Sequence, residues 1–178
     1  MLLFAYKSKR FKFSAPNNFW LGDGLPYIYC DPKLCTGCRT CELVCVGFHD
    51  RNFNPRASRI RVIRTEPASD IAITCRQCEN PPCMRACPVN AIRKLKSGLV
   101  EVVDVRCIGC GACAEACPFG AIWLHPVTKK ALKCDLCRGD PQCVKQCMPV
   151  ALSLMTPEQV AEKTRLDEAR RMGKIKKV

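Results

Sequence analysis

Four cysteine groups recur along this chain, and their internal spacing constrains the fold more than any other feature. The stretch CIGCGACAEACP, Cys107 to Pro118, places four thiols at gaps of two, two and three residues and closes with a proline. Three more groups have a similar form, and of the 17 cysteines only Cys30 lies outside the four groups. In chain order the groups are Cys35, Cys38, Cys41 and Cys45; Cys75, Cys78, Cys83 and Cys87; Cys107, Cys110, Cys113 and Cys117; and Cys134, Cys137, Cys143 and Cys147.

So many thiols could be disulfides or metal ligands, and the choice depends on the compartment. The first 24 residues, MLLFAYKSKRFKFSAPNNFWLGDG, place apolar residues before a basic cluster, the reverse of the order in a signal peptide. No stretch reaches the 18 or more apolar residues of a membrane span. We therefore expect a cytoplasmic protein in which the thiols are kept reduced and bind metal.

Zinc and iron–sulfur clusters are the two metal centres that C-x-x-C pairs commonly hold. Zinc sites usually separate their two pairs by a dozen or more residues, whereas here three thiols fall within seven residues. The pattern C-x2-C-x2-C-x3-C-P is the spacing that binds [4Fe–4S] clusters in bacterial ferredoxins. The spacing thus favours four [4Fe–4S] clusters over zinc.

The residues around the thiols repeat as well. Gly37, Gly109 and Gly111 lie between cysteines, where the backbone must bend closely around a bulky inorganic core. A proline and then Ala-Ile or Ala-Leu follow the last cysteine of groups two, three and four, whereas group one has Val46 in place of the proline. Groups two to four are therefore predicted to be copies of one unit.

The segments between the groups are predicted to be short strands. Residues 91–105 and 121–134 have the pattern of hairpins, and residues 58–75 form two strand-like runs around Pro67. A short helix is expected before each fourth cysteine. From Thr156 the chain changes character, because Thr156, Pro157 and Gln159 form a capping box that predicts an exposed terminal helix.

Hydrophobic residues make up 48% of the chain, and the share falls to roughly 38% without the cysteines, below the usual range. The apolar core should be thin, so cluster ligation must supply much of the folding free energy. We predict that the metal-free chain does not fold.

Four groups in this order, with a wider gap inside groups two and four, resemble the iron–sulfur subunits of molybdenum and tungsten oxidoreductases of the dimethyl-sulfoxide-reductase type. The run from Lys130 to Lys145, KALKCDLCRGDPQCVK, is most similar to the small subunits of tungsten-containing aldehyde oxidoreductases. The related subunit of tungsten-dependent benzoyl-CoA reductases is similar too. The resemblance covers about Tyr29 to Met155.

This resemblance implies an α+β fold of two bacterial ferredoxin-like dicluster modules, one inserted in the other, with a C-terminal helix. It implies an N-terminal arm (1–29), a four-cluster core (30–155) and a basic helix and tail (156–178). Module one would combine 30–50 with 130–155, and module two would span 70–125. The fourth cysteine of each group would ligate a cluster of the paired group. The implied ligands are Cys35, Cys38, Cys41 and Cys147 for cluster A; Cys134, Cys137, Cys143 and Cys45 for cluster B; Cys75, Cys78, Cys83 and Cys117 for cluster C; and Cys107, Cys110, Cys113 and Cys87 for cluster D.

The function implied is a non-catalytic relay of single electrons to or from a large tungsten- or molybdenum-pterin subunit, most closely an aldehyde oxidoreductase. Partners could include a flavin subunit, a ferredoxin or further copies of the chain. The alternatives are a relay for a benzoyl-CoA reductase, a hydrogenase, or a formate or carbon monoxide dehydrogenase, and a free polyferredoxin. No catalytic residues are expected, because electron transfer needs no acid, base or nucleophile.

The formal net charge is +13, and four clusters at about −2 each would lower it to about +5. The basic residues are scattered and lack interleaved aromatics, which argues against nucleic-acid binding and leaves docking to an acidic subunit open. His49 and His125 are expected to form ordinary hydrogen bonds, and Cys30 to be a small buried residue. Trp20 and Trp123 are expected to pack in apolar surroundings.

Overall fold

The computed structural model describes residues 25–65 and 69–175 of the chain. Within these residues, eight short strands pair into four separate two-stranded sheets, and five α-helices lie between or after them. The strands are β1 (Tyr27–Cys30), β2 (Arg61–Thr65), β3 (Ser69–Ile73), β4 (Ile92–Lys94), β5 (Val100–Val102), β6 (Ile122–Leu124), β7 (Ala131–Lys133) and β8 (Leu152–Met155). The helices are α1 (Thr40–His49), α2 (Pro82–Arg85), α3 (Ala112–Glu115), α4 (Gln142–Lys145) and α5 (Pro157–Ile175), with 3-10 turns at Pro55–Ala57 and Leu136–Gly139.

Strand pairing is antiparallel throughout and has a nested topology. The first strand, β1, pairs with the last, β8, so that Tyr27 faces Met155 and Cys30 faces Leu152. Between them, β2–β3, β4–β5 and β6–β7 pair as sequence neighbours, as their alternating patterns predict. The pairing of β1 with β8 brings the two ends of the core together around its middle.

Each of the last three cysteine groups contains a four-residue helix just before its fourth cysteine, as predicted. Group one differs, because its helix α1 has ten residues and contains both Cys41 and Cys45. A proline follows or nearly follows the fourth cysteine in the other groups and prevents helix continuation. Val46 at the equivalent place in group one allows α1 to continue to His49.

The buried side chains form two separate apolar clusters. One combines the two ends of the core with the β2–β3 pair, and includes Ile28, Ile60, Val62, Leu136 and Leu152. The other is built from the middle of the chain, with Ile92, Val100 and Ile122 among its members. The observed architecture is the predicted α+β arrangement of small two-stranded sheets with a C-terminal helix. The exact domain limits remain a prediction.

Helix α5 begins at the predicted capping box. The Gln159 backbone N–H donates to Thr156 Oγ1 at 3.3 Å, and the Gln159 side-chain oxygen accepts from the Thr156 backbone N–H at 2.9 Å. Its link to the core is ionic, since Lys163 Nζ lies 2.9 Å from Asp31 Oδ2.

Within the described parts of the chain, no helix has the length and apolarity needed to cross a bilayer. Most of the predicted N-terminal arm, including Trp20, lies outside the described residues.

Candidate metal centres

Three cavities of similar size are each lined by four cysteines drawn from two different groups. They contain about 330, 360 and 310 Å³ of atom-free space, part of it open to solvent, and apolar residues supply most of the remaining lining. We call the three sets quartets A, C and D, after the implied clusters. Quartet A contains Cys35, Cys38, Cys41 and Cys147; quartet C contains Cys75, Cys78, Cys83 and Cys117; quartet D contains Cys87, Cys107, Cys110 and Cys113.

The remaining four cysteines, Cys45, Cys134, Cys137 and Cys143, are also near one another, and we call them quartet B. Cys45 is close enough to Cys137 and Cys143 for its charge to raise the pKa of both thiols. Cys143 acts in the same way on Cys134. The structure thus brings together the same four sets of residues that the resemblance implies.

At two glycines in the loops between the cysteines, a side chain would lie very close to another part of the chain. Gly37 has a φ of 66°, and a Cβ there would lie 2.5 Å from the carboxylate of Asp70. Gly109 has a φ of 72°, and its Cβ would lie 2.5 Å from the carbonyl oxygen of Lys129. Conformation therefore favours glycine at both positions, and space requires it at Gly109, where the neighbouring atom belongs to the backbone.

Backbone N–H groups donate to several of the cysteine sulfurs. Ala91 N lies 3.2 Å from Cys87 Sγ, and Ala121 N lies 3.4 Å from Cys117 Sγ. These two alanines are the repeated residues that follow the proline, and both are buried. Further donors are Gln77 N to Cys75, Ala131 N to Cys107, Leu136 N to Cys134 and Arg59 N to Cys45. Such N–H···S contacts stabilise negative charge on sulfur and raise a cluster's reduction potential.

Burial raises the pKa of several thiols in the metal-free chain. It is the main cause that raises the pKa of Cys83 and Cys137 to about 11 and that of Cys41 to about 12. Cys38 is an exception, because it is exposed and hydrogen bonds from Thr40 lower its pKa. Iron must therefore displace protons from buried thiols such as Cys41, Cys83 and Cys137, and cluster assembly is expected to release protons.

Each quartet neighbours the next in a series from A to D, which we call the row. Cys41 of quartet A is near Cys143 of quartet B, and Cys134 of quartet B is near Cys75 of quartet C. Quartets C and D share the second apolar cluster, where α2 packs against α3. The exposed cysteines Cys38 and Cys110 belong to the two outer quartets, A and D. The order along the row is A, B, C, D.

Two buried polar side chains cross the boundary between quartets B and C. The Gln77 side chain donates to the Cys134 carbonyl at 2.8 Å and accepts from Val100 N at 3.0 Å. Lys133 Nζ donates to the same two residues, to the Cys134 carbonyl at 3.1 Å and to the Val100 carbonyl. We call these four residues, Gln77, Val100, Lys133 and Cys134, the seam. Gln77 and Lys133 went unpredicted as site residues, since neither contributes a thiol, although Gln77 occupies the position that is Gly37 in group one and Gly109 in group three.

A second polar network supports quartet B. His49 Nδ1 lies 2.9 Å from the Cys45 carbonyl, and its Nε2 lies 3.1 Å from Asp135 Oδ1. Arg59 Nη1 donates to the other Asp135 oxygen at 2.6 Å. Burial alone would lower the pKa of His49, but the hydrogen bonds to Asp135 and Cys45 raise it to about 9. Burial alone would raise the pKa of Asp135, but His49 and Arg59 lower it well below its usual range.

Within the residues that the structure describes, a histidine, a carboxylate and a thiol that could together hold a metal ion approach one another only in this network. His49, Asp135 and Cys137 have side-chain atoms within 4.8 Å of one another. Because the histidine and the carboxylate bind each other and Cys137 belongs to quartet B, the group supports that quartet and is no separate metal site. His49 therefore forms the hydrogen bonds expected of it.

The other residues considered from the sequence, His125, Trp123 and Cys30, also form hydrogen bonds within the chain. His125 Nδ1 accepts from the N–H groups of Val127 and Thr128, both at 3.1 Å. Trp123 donates to the Ser58 carbonyl at 2.9 Å, and the Arg61 guanidinium lies 4.4 Å from the centre of its ring. Cys30 is buried in β1 and accepts from Ala72 N at 3.3 Å. As predicted, His125 forms ordinary hydrogen bonds and Cys30 is buried. Trp123 differs from the prediction, because it contacts a carbonyl and a guanidinium and does not have purely apolar surroundings.

Buried thiol quartets with apolar linings, N–H donors to sulfur and tight glycine turns define an iron–sulfur protein of the ferredoxin type. Comparison with known proteins agrees. Residues 70–156 match the family described as 4Fe-4S dicluster domain.

Two relatives are similar over most of their length. The polyferredoxin-like subunit of the aliphatic sulfonate oxidoreductase of Pyrococcus furiosus is 44% identical over 123 residues, which are 68% of this chain and 70% of that subunit. The electron transport protein HydN of Escherichia coli strain K12 is 38% identical over 154 residues, 71% of this chain and 85% of HydN. The chain belongs to the family of 4Fe-4S dicluster electron-transport proteins.

A solved structure is similar at a lower level. In the active site complex BamBC of benzoyl coenzyme A reductase, one chain is 27% identical, with coverage of 74% of this chain and 79% of that one. The TM-score is 0.44, so the family assignment rests on the sequence matches. The chain is an iron–sulfur electron-transfer protein that binds [4Fe–4S] clusters, and its role is non-catalytic, in agreement with the prediction.

Proposed function

We propose that the chain binds four [4Fe–4S] clusters, one in each quartet, and relays single electrons along the row. The observation that carries this proposal is the convergence of all sixteen group cysteines into four sets, three of them around cavities of nearly equal volume. The ligands would be Cys35, Cys38, Cys41 and Cys147 (A); Cys45, Cys134, Cys137 and Cys143 (B); Cys75, Cys78, Cys83 and Cys117 (C); and Cys87, Cys107, Cys110 and Cys113 (D).

When bound, a [4Fe–4S] cluster accepts and releases one electron without making or breaking bonds to a substrate. The chain's residues hold the clusters in place, exclude water from the cavities and donate hydrogen bonds to sulfur. The outer quartets supply the points of electron entry and exit, since their cysteines Cys38 and Cys110 are exposed. Between these two ends an electron would pass through the buried quartets B and C.

For the partner, we propose a large tungsten- or molybdenum-pterin catalytic subunit, and among these an aldehyde oxidoreductase. The support is the resemblance of the run from Lys130 to Lys145 to the small subunits of such enzymes. The similarity to a subunit of a sulfonate oxidoreductase favours a second candidate, a partner that acts on sulfonates. A relay for a benzoyl-CoA reductase, a hydrogenase or a formate or carbon monoxide dehydrogenase, and a free polyferredoxin, are the remaining alternatives.

The cluster content is tested by anaerobic purification of the protein from its own organism, followed by iron, sulfide and zinc analysis. We expect about sixteen irons and as many sulfides per chain. A yield of about eight irons would contradict the four-cluster proposal, and zinc in place of iron would contradict cluster binding altogether. Cys30→Ala is the matched control, because it removes a buried thiol that is in no quartet.

The partner is tested on the same preparation by identifying co-eluting subunits and measuring tungsten and molybdenum. Tungsten in a large co-eluting subunit, together with bleaching of this chain's cluster absorbance on addition of an aldehyde, would support an aldehyde oxidoreductase. Bleaching by an aliphatic sulfonate and not by an aldehyde would support the second candidate. A monodisperse single chain that accepts electrons from several unrelated reductases would support the free polyferredoxin.

A further inference from the structure

Lys133 is a lysine in an unusual place, the boundary between quartets B and C. Only 3% of its surface is exposed, and its ammonium group donates to the carbonyl oxygens of Val100 and Cys134. The same side chain lines the cavity of quartet C. Lys133 therefore lies beside a ligand of one proposed cluster and in the wall of another.

Within the described residues, no carboxylate oxygen lies within 4.0 Å of Lys133 Nζ. Glu101 and Asp135 line the same polar cavity as Lys133 but pair instead with Arg93 and Arg59 at 2.6 Å. Asp104 also lines that cavity without reaching the ammonium group. The two carbonyls satisfy hydrogen bonds but supply no net negative charge.

Burial of an ammonium group without an opposite charge is costly. The negative charge closest to Lys133 would be that of the cysteine thiolates in quartets B and C. Consistent with this position, the Lys133 charge lowers the pKa of Cys78 and Cys83 of quartet C and of Cys134 of quartet B, against the larger effect of burial. The lysine is thus placed to act on two sites at once.

We propose that Lys133 is a fixed positive charge that raises the reduction potentials of the clusters in quartets B and C. This inference rests on the proposed four-cluster ligation. Reduction adds one electron to a cluster and makes it more negative by one unit, and a nearby cation stabilises that state in a poorly screened interior. In transfer across the seam, one cluster is oxidised by one electron and its neighbour is reduced by one. Lys133 itself takes part in no bond change.

The test is a potentiometric titration of the full-length, cluster-loaded protein, followed by electron paramagnetic resonance, for the wild type and Lys133→Met. Methionine has a similar length and no charge. At fixed solution potential, we expect the ratio of reduced to oxidised cluster to fall about tenfold at two of the four sites, a shift of about 59 mV for one electron. The other two sites should change by less than about threefold, since they are farther from Lys133.

Three further variants separate charge from structure. Lys96→Met removes one positive charge from an exposed turn and should shift no site by as much as Lys133→Met does. Lys133→Arg keeps the charge and should retain the potentials if it loads iron fully. If Lys133→Met fails to bind clusters, Lys133→Gln serves as the neutral variant, because it retains a donor for the two carbonyls.

The proposal would be overturned by a fully loaded neutral variant with all four potentials unchanged. It would also be overturned if a fully loaded Lys133→Arg produced the same shifts as Lys133→Met, because the effect would then be structural. Failure of the four-cluster proposal is seen separately, as an iron content below about sixteen in the wild type. The two ideas can therefore fail independently.

Discussion

At the scale of single residues, the location of a cysteine in the fold distinguishes the sixteen candidate iron ligands from Cys30. Cys30 has the same chemistry as the sixteen others and lies close to Cys35 and Cys147 of quartet A. Its sulfur, however, belongs to strand β1 and accepts an N–H from Ala72 of β3. Burial is the main cause that raises its pKa to about 11, so Cys30 is a neutral thiol at pH 7.

We predict that Cys30→Ala retains the full iron content, whereas Cys147→Ala loses the iron of one cluster, about a quarter of the total. The measurement is iron and sulfide per chain after anaerobic purification. Both variants remove one thiol from the same neighbourhood, so each controls for the other. Loss of iron from Cys30→Ala, with Cys147→Ala unaffected, would show that the ligand assignment for quartet A is wrong.

At the scale of elements, helix α5 differs from the cluster-bearing core in how it is attached. The core elements share buried apolar clusters, whereas α5 is mostly exposed and connects to the segment after β1 through Asp31 and Lys163. Lys33 reaches Asp167 on the same helix at 3.5 Å. An attachment of this kind is weaker than apolar packing, because solvent screens exposed charges.

We predict that Asp31→Asn increases amide hydrogen exchange along α5 by up to about fivefold, since exposed ion pairs contribute roughly 1 kcal/mol or less. Burial alone would raise the pKa of Asp31, but the hydrogen bond and charge of Lys163 lower it. The folded-state pKa is thus below the unfolded value, so the stabilisation is present above about pH 4 and is lost only as the pH falls further. In the wild type, the protection from exchange that this contact gives to the amides of α5 should therefore stay constant between pH 5 and 8. Glu162→Gln, which affects only a pair within α5, is the matched control.

The capping box at the start of α5 permits a separate prediction. Thr156→Ala removes the hydroxyl that accepts from Gln159 N and should destabilise the first turn by about 1 kcal/mol. Amide exchange at residues 157–160 should rise, while exchange in the cysteine-bearing segments stays unchanged. Thr156→Ser retains the acceptor and should behave like the wild type. Equal exchange in Thr156→Ala and the wild type would contradict a stabilising role for the cap.

At the scale of the whole molecule, the chain has little apolar core of its own. Of the 26 buried hydrophobic residues in the described part of the chain, nine are cysteines and six are alanines. This leaves eleven larger side chains, of which eight belong to the two clusters. The two clusters are joined by the polar seam, where Gln77 and Lys133 bind the backbone of Val100 and Cys134. Most of the cohesion is therefore expected to come from the metal centres.

We predict that removal of iron by an anaerobic chelator unfolds the chain. The far-ultraviolet circular dichroism spectrum should lose its native form, and anaerobic addition of iron and sulfide should restore it in parallel with the cluster absorbance. The thiols would otherwise be buried and neutral around open cavities, which apolar packing of this extent cannot stabilise. A native-like spectrum from the metal-free chain would contradict this prediction.

Local pattern was sufficient to predict most of the elements. The hairpins β4–β5 and β6–β7, the β2–β3 pair, the short helices before the fourth cysteines and the capping box of α5 each depend on residues close together in the chain. The length of α1 was missed, although Val46 in place of a proline is a visible signal for it. The pairing of β1 with β8 had no local signal, because its partners are separated by more than a hundred residues.

The sequence by itself determined the number and type of metal-binding groups, because ligand spacing, glycine turns and the following proline act over a few residues. The resemblance implied which groups meet, but only the tertiary structure decided in what order the quartets lie and where Lys133, Gln77 and the His49–Asp135 pair are placed. These features depend on contacts between segments far apart in the chain. The sequence does not show whether a polar side chain is buried or exposed, because burial depends on how distant segments pack.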